Sequence, residues 1–129
     1  KPGVSDALVC QMDLLASLSA MFGQKMVKNV DSKNVLQALL GKSKKGRTDL
    51  VIEASGNLAY KQGDWVLIPK YKGESYLPLT GTETGRSGED QLYQLTVDLG
   101  ERKNLAGQEA ARIKKMKTAL ESISGIKLN

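Results

Sequence analysis

The apolar residues in the first 40 positions have the spacing of short helices. Five of them recur at intervals of three and four residues: Leu14, Leu15, Leu18, Met21 and Phe22. This is the period of one face of an α-helix, which we expect Asp13 to cap and Gly23 to end. A second, shorter helix is predicted at residues 35–40, with Asp31 and Ser32 offering its cap.

From residue 50 onward the pattern changes to β-branched and apolar segments that are separated by tight turns. Four such segments predict strands: residues 50–54, 58–61, 65–68 and 91–95. The turns at 55–57 and 62–64 are short enough to join the first three strands as an antiparallel meander. Residues 73–88 are rich in Gly, Thr, Ser and Glu and have no periodicity, so we expect a long surface loop there.

The last part of the chain returns to helical spacing. Six apolar residues share one predicted face: Ala106, Ala110, Ile113, Met116, Leu120 and Ile123. Calmodulin-binding and membrane-surface helices can carry such a stripe, but a sheet needs one face covered, which favours packing on the predicted strands. The expected fold class is α+β, with a four-stranded antiparallel sheet packed against a long C-terminal helix and preceded by a helical segment. We place the boundary between residues 1–49 and 50–129.

Composition and charge narrow the functional classes. The chain has 129 residues, of which 40 % are hydrophobic, as in an ordinary globular domain, and no apolar run approaches a membrane span. Its net charge is +5, and the densest basic run spans Lys42 to Arg47. That run can be a solvated loop or an anion or nucleic-acid patch. Because no aromatic residue interleaves with it, we do not expect nucleic acid as a partner.

The residue types needed for most catalytic sites are missing from the sequence. The chain has no histidine and one cysteine, Cys10, which lies in an apolar stretch typical of a buried structural thiol. The adjacent pair Glu89 and Asp90 lies in a predicted loop, and the glycines at 81 and 85 lack the strand, helix and Lys-Ser/Thr of a phosphate-binding loop. These residues alone do not form a complete enzyme.

Four segments in order resemble type I, formylglycine-dependent sulfatases of the arylsulfatase and N-acetylhexosamine-6-sulfatase kind. They are DALVCQMDLLASLSAMFG at 6–23, DSKNVLQALLG at 31–41, LAYKQGDWVLI at 58–68 and QLYQLTVDLGERKNLA at 91–106.

The chain departs from the usual family residues at several points. Leu15 and Ala16 stand where Pro-Thr is usual, and Ser32 stands where Gly is common. Lys61 replaces Arg, Val66 replaces Lys and Leu99 replaces Pro.

The resemblance implies a position within a longer protein. It places residues 1–49 at the helical end of the large α/β catalytic domain and residues 50–129 in the C-terminal α+β subdomain. The chain begins at Lys1 without Met, and we expect that it was cut from a longer chain. The family uses formylglycine, made from Cys or Ser in a Cys/Ser-x-Pro-x-Arg motif, and a calcium ion. Neither Cys10 nor Ser43 stands in that motif, so no catalytic, cofactor-binding or metal-binding residue carries over.

The first functional hypothesis is therefore a C-terminal piece of a sulfuric ester hydrolase that is inert by itself. Its partners would be the catalytic domain of the same chain and, through it, a sulfated carbohydrate or aryl sulfate. The residues that we expect at the rim of the substrate cleft are Ser55, Gly56 and Asn57, with the basic run 42–47 as a further candidate. Family resemblance implies a periplasmic or secreted location.

Two other hypotheses belong to different classes. The basic run favours a stand-alone binding module for anionic polysaccharide, and the apolar helices favour a structural domain that mediates oligomer contacts. If residues 6–40 normally pack against an absent part of the longer protein, four apolar side chains must fold back onto the sheet domain, swap into a neighbour or stay exposed: Leu8, Leu14, Leu18 and Phe22. We expect a homodimer through that helix or a rearranged N-terminal segment.

Overall fold

The computed structural model describes residues 3–26, 28, 30–54 and 56–128. The chain forms two compact units, residues 1–48 and residues 49–129. The first unit contains helix α1 (Asp13–Met21) and helix α2 (Leu36–Leu39). The second contains β1 (Asp49–Ala54), β2 (Asn57–Gln62), β3 (Trp65–Ile68), β4 (Tyr76–Leu77), β5 (Thr82–Glu83), β6 (Gln91–Gln94) and α3 (Ala110–Ser124).

Within the described part of the second unit, four strands form an antiparallel sheet in the order β1-β2-β3-β6. The register places Tyr60 opposite both Val51 and Leu67, and Leu67 opposite Leu92. Residues that stand directly opposite each other on neighbouring strands point to the same face of a sheet, so Val51, Tyr60, Leu67 and Leu92 share one face. The predicted α+β class, with this sheet and a C-terminal helix, is confirmed.

The core of the second unit lies between that face and α3. Five side chains in it are at most 1 % exposed: Tyr60, Leu67, Leu92, Met116 and Leu120. Trp65 and Ile113 pack at its edge, and the guanidinium of Arg112 lies 4.0 Å from the centre of the Trp65 ring, in cation–π range. Helix α3 ends at Gly125, which takes the left-handed conformation (φ 71°) that glycine adopts without strain.

The outer edge of β6 is completed by a side chain instead of a fifth strand. The side-chain oxygen of Asn104 accepts the backbone N–H of Leu92 at 3.0 Å, and its amide nitrogen donates to the carbonyl of Asp90 at 3.0 Å. The N–H of Leu105 then donates to the carbonyl of Leu92 at 2.8 Å. These bonds satisfy backbone groups that an open sheet edge would leave available for pairing with another chain.

The predicted loop 73–88 is only partly irregular. Strands β4 and β5 pair within it as a two-residue antiparallel hairpin, with Tyr76 opposite Glu83. No alternating pattern marks these strands in the sequence, because two residues are too few to show a period.

The predicted caps of both first-unit helices are wrong. Asp13 is the first helical residue of α1, and the capping position belongs to Met12, which makes no side-chain cap bond. The N–H of Leu36 at the start of α2 donates to the side-chain oxygen of Asn34 at 3.0 Å. Ser32 instead accepts the N–H of Ala16 in α1 at 2.8 Å, so its hydroxyl joins two segments.

Helix α1 buries the opposite face from the one that its apolar pattern favours. Its buried residues are Asp13, Ala16 and Ser17. Its five apolar stripe residues are between 43 % and 68 % exposed: Leu14, Leu15, Leu18, Met21 and Phe22. Of the three alternatives that the sequence left for this stripe, exposure is the one seen in the structure.

Candidate functional site

The described residues contain no group of three or more Asp, Glu or Cys side chains placed to hold a metal ion. Of the acidic pair found in the sequence, Asp90 accepts the N–H of Lys70 at 3.0 Å and lies 2.9 Å from the Nζ of Lys117. Cys10 is half-buried, with its Sγ 3.4 Å from a carboxylate oxygen of Asp13. The contacts of Asp90 tie distant segments of the fold together, whereas the contact of Cys10 is local.

The expected cleft rim, Ser55, Gly56 and Asn57, lies at the β1–β2 connection. Ser55 falls outside the described residues. Gly56 is exposed with φ 77°, and its N–H donates to Glu53 at 2.6 Å, which suits a two-residue hairpin turn. Asn57 belongs to β2 and not to the turn, since it pairs with Ala54. Its side-chain nitrogen is buried and finds no hydrogen-bond partner among the described residues.

The arginine of the basic run 42–47 forms an internal ion pair and is therefore not available to a ligand. Arg47 places its Nη2 2.6 Å and its Nε 2.7–2.9 Å from the carboxylate oxygens of Asp13, and their side chains are 7 % and 1 % exposed. The backbone N–H of Arg47 donates to the carbonyl of Leu8 at 2.7 Å. Only the lysines of the run, at 42, 44 and 45, are left exposed for an anion.

The carboxylate of Asp13 is the centre of the first unit. Burial alone raises a carboxyl pKa, but the hydrogen bonds from Arg47 and from the N–H groups of Lys33 and Cys10 outweigh it. The pKa of Asp13 therefore lies well below its ordinary value of 3.8, and the same bond raises the pKa of Arg47. The neighbouring Ser17 accepts the N–H of Val35 at 3.0 Å. Helix α1 is thus joined to residues 32–35 by three hydrogen bonds: it accepts two of them, through Asp13 and Ser17, and donates one, from Ala16 to Ser32.

A groove of about 500 Å³ opens beside the exposed turn at Gly56. Three stretches line it, with Gly88 between them: Gly56 and Leu58, residues 69–72, and residues 126–128. Its lining carries Lys70, Lys72 and Lys127, and the ring-bearing residues Pro69 and Tyr71. Sequence reasoning missed this site because its stretches are up to 70 residues apart, although the Lys-Tyr-Lys triplet after a strand was a local signal.

Tyr71 forms one wall of the groove because of a proline. Continuing the β2–β3 register places Pro69 opposite Leu58, and Pro69 has no N–H to donate. The Tyr71 hydroxyl takes over at that position: it accepts the N–H of Leu58 at 2.7 Å and donates to its carbonyl at 3.1 Å. The hydroxyl is thus used by the fold, and the ring is held in place.

Comparisons with known proteins show which proteins the whole chain is similar to. No family model matches the chain. The chain is 32 % identical over 126 residues to N-acetylgalactosamine-6-O-sulfatase of Bacteroides thetaiotaomicron, which covers 95 % of the chain and 25 % of that relative. It superposes on a solved sulfatase structure, described in terms of the metabolism of multiple glycosaminoglycans by Bacteroides thetaiotaomicron, with a TM-score of 0.89 at 30 % identity.

This chain is homologous to the C-terminal part of a sulfatase. The solved structure covers 95 % of this chain, which in turn covers 26 % of that structure. A second structure, described as Ps i-CgsB, shares the fold with a TM-score of 0.59 over 87 % of this chain and 23 % of its own, at 18 % identity. This chain thus spans about a quarter of the length of the proteins that it matches. In the described residues no helix has the length and apolar character to cross a bilayer.

Proposed function

We propose that this chain is the C-terminal part of a longer sulfuric ester hydrolase that removes sulfate from sulfated sugars. The observation that carries the proposal is the 32 % identity, over 95 % of the chain, to a protein named as an N-acetylgalactosamine-6-O-sulfatase. The solved structure with a TM-score of 0.89 is described in terms of glycosaminoglycan metabolism, which supports the same substrate class. A 6-O-sulfated N-acetylgalactosamine unit is the first substrate to test, ahead of aryl sulfates.

In this proposal the segment has a structural role and supplies no catalytic group. A calcium site needs six to eight oxygen ligands with several carboxylates, and the described residues do not gather such a set. In this proposal calcium and the formylglycine nucleophile belong to the remainder of the longer protein. Ser55, Gly56 and Asn57, at the β1–β2 connection, stay our expected contribution to the rim of the substrate cleft. A periplasmic or secreted location fits the same family.

The test compares the longer protein with the 129-residue chain. We expect the longer protein to release inorganic sulfate from N-acetylgalactosamine 6-sulfate faster than from 4-nitrophenyl sulfate, and the chain alone to release none. Turnover by the chain alone would contradict its inert role. Absence of turnover by the longer protein on both substrates, with calcium present, would contradict the proposed function.

The exposed apolar face of α1 is proposed to pack against the remainder of the longer protein. Leu18 and Phe22 are 45 % and 68 % exposed on that face, and soluble monomers rarely leave such a contiguous patch open. When that remainder is absent, we expect the chain to form a homodimer through α1, visible as a concentration-dependent increase in sedimentation coefficient. Leu18→Glu should restore the monomer, because a charge in the interface would be buried without a partner.

Leu79→Glu is the matched control, since Leu79 is fully exposed in the loop outside α1. It should leave the dimer intact. A chain that sediments as a monomer at every concentration would overturn the homodimer.

A further inference from the structure

We propose that the groove beside Gly56 is a binding site for a sulfated oligosaccharide, held by Lys70, Lys72 and Lys127 against the ring of Tyr71. The ligand class rests on the proposed function, since a sulfatase for sugars meets such chains. The site itself follows from the shape, charge and rigidity of the groove.

The charge of the groove is cationic and only partly compensated. The side chains of Lys70 and Lys72 form no ion pair among the described residues. Asp90 accepts the backbone N–H of Lys70 and binds Lys117 with its other oxygen. Lys127 is 91 % exposed and lies 3.7 Å from Glu121, at the outer limit of an ion pair. Ammonium groups that carboxylates compensate only in part attract a ligand with several fixed negative charges.

The apolar part of the lining indicates a sugar and not a bare ion. A volume of about 500 Å³ lies within the range of roughly 300–1,000 Å³ for small-molecule sites. Tyr71 is half-buried and its hydroxyl is held by Leu58, so its ring offers a fixed surface, and Leu58 and Leu128 add aliphatic surface. The C–H face of a pyranose packs on such surfaces while its sulfate groups reach the lysines.

The walls of the groove are fixed before any ligand arrives. The N–H of Tyr71 donates to the carbonyl of Ser87 at 2.8 Å, which anchors residues 70–71 to the stretch that contains Gly88. On the other side, the N–H of Leu128 donates to Glu121 in α3 at 2.8 Å. A ligand therefore loses little affinity to the ordering of the protein.

The experiment titrates the 129-residue chain, at low salt, with a chondroitin 6-sulfate hexasaccharide, its desulfated counterpart and inorganic sulfate. We expect saturable binding of the sulfated hexasaccharide, weaker binding of the desulfated one and none of inorganic sulfate below millimolar concentration. The double variant Lys70→Gln/Lys72→Gln should bind about ten-fold more weakly, as two exposed charge contacts predict. In an NMR titration the amide signals of Tyr71 and Leu128 should shift.

The matched control is Lys114→Gln/Lys115→Gln, which removes the same charge from exposed positions on α3. It should change the affinity by less than about two-fold, because screening weakens distant exposed charges. Equal losses in the two double variants would overturn the site in favour of diffuse attraction. Binding of inorganic sulfate with the affinity of the hexasaccharide would overturn the sugar component.

A second pair of variants tests the site without removing a lysine. A Cβ at Gly88 or at Gly107 would meet no atom within 4 Å, so either glycine accepts a side chain without a clash. Gly88→Glu should abolish binding by placing a carboxylate in the groove, and Gly107→Glu should not. Sulfate release by the longer protein reports on the proposed function separately. Release with unchanged binding in Gly88→Glu would overturn the groove alone, whereas binding without any release would overturn the proposed function.

Discussion

Replacing Asp13 by Asn should unfold the first unit while the second stays folded. The substitution keeps the shape of the side chain but removes the charge, and it leaves the guanidinium of Arg47, whose side chain is 7 % exposed, without its counter-ion. Breaking a buried pair from one side typically costs about 3–5 kcal/mol, which is comparable to the whole stability of a small unit. Hydrogen exchange read by mass spectrometry should show loss of protection at Lys33 and Val35, whose N–H groups bond to Asp13 and Ser17.

Peptides from β3 and β6 in the same sample serve as the internal control for this variant. Asp31→Asn is the matched substitution, since the Asp31 side chain is exposed and only its backbone carbonyl accepts a bond from Arg47, at 2.5 Å. It should leave the exchange pattern unchanged. If the amides of Asp13→Asn exchange as slowly as those of the unsubstituted chain, the ion pair does not hold this unit together.

The same pair gives the first unit a defined sensitivity to acid. The folded-state pKa of Asp13 lies below its ordinary value of 3.8. The contribution of Asp13 to stability is therefore complete above pH 3.8 and is lost progressively as the pH falls from 3.8 through the folded-state pKa. The unsubstituted 129-residue chain should therefore lose hydrogen-exchange protection at Lys33 and Val35 below about pH 4. In Asp13→Asn, whose first unit we expect to be unfolded already at neutral pH, these two amides should be unprotected at every pH and the step should be absent.

The second unit could be predicted from the sequence because its signals are local and agree with one another. Each strand of the large sheet was expected within two residues of its observed ends, from β-branched composition and tight turns. The apolar residues of the last segment recur with the period of a helix, and one face of the predicted sheet needed a helix to cover it. In such a unit the alternation of side chains already determines which face is buried, so register and packing follow from the pattern.

The first unit could not be predicted in the same way, because what holds it together is polar and distant in sequence. Asp13 and Arg47 are 34 positions apart, and no periodicity connects a carboxylate with an arginine across that separation. The apolar stripe of α1 predicted the helix and left exposure open as one of three alternatives, but it did not indicate that Asp13, Ala16 and Ser17 would be the buried residues. Leu18, on the apolar face, is 45 % exposed.

Two residues within the segments that resemble sulfatases have roles that the sequence did not show. Asp13, in the first segment, forms the buried ion pair, and Asn104, in the last, completes the edge of β6. Both are connections between distant backbone segments. The groove was missed for a related reason, since it is assembled from a turn, the residues that follow a strand and the stretch after α3. Of the two rim residues that the structure describes, Gly56 and Asn57, Gly56 lines it.

The second large effect is expected in the core of the sheet unit, from Leu120→Ala. Leu120 is fully buried between α3 and the sheet, and removing three carbon atoms there leaves a cavity that close-packed neighbours cannot fill. Such truncations cost about 2–5 kcal/mol. Trp65 is the single tryptophan of the chain and packs at the edge of this core, so its fluorescence during urea unfolding reports on this unit.

Ile123→Ala is the matched control, one turn further along the same helix and on the same predicted stripe. Ile123 is 54 % exposed, so its truncation removes little buried surface, and alanine is the better helix former. We expect its effect on the free energy of unfolding to stay within about 0.5 kcal/mol. The stripe alone predicts equal losses at the two positions, whereas the structure predicts a difference of at least about 1.5 kcal/mol. Equal midpoints and slopes for the two variants would mean that α3 does not pack on the sheet in the way described.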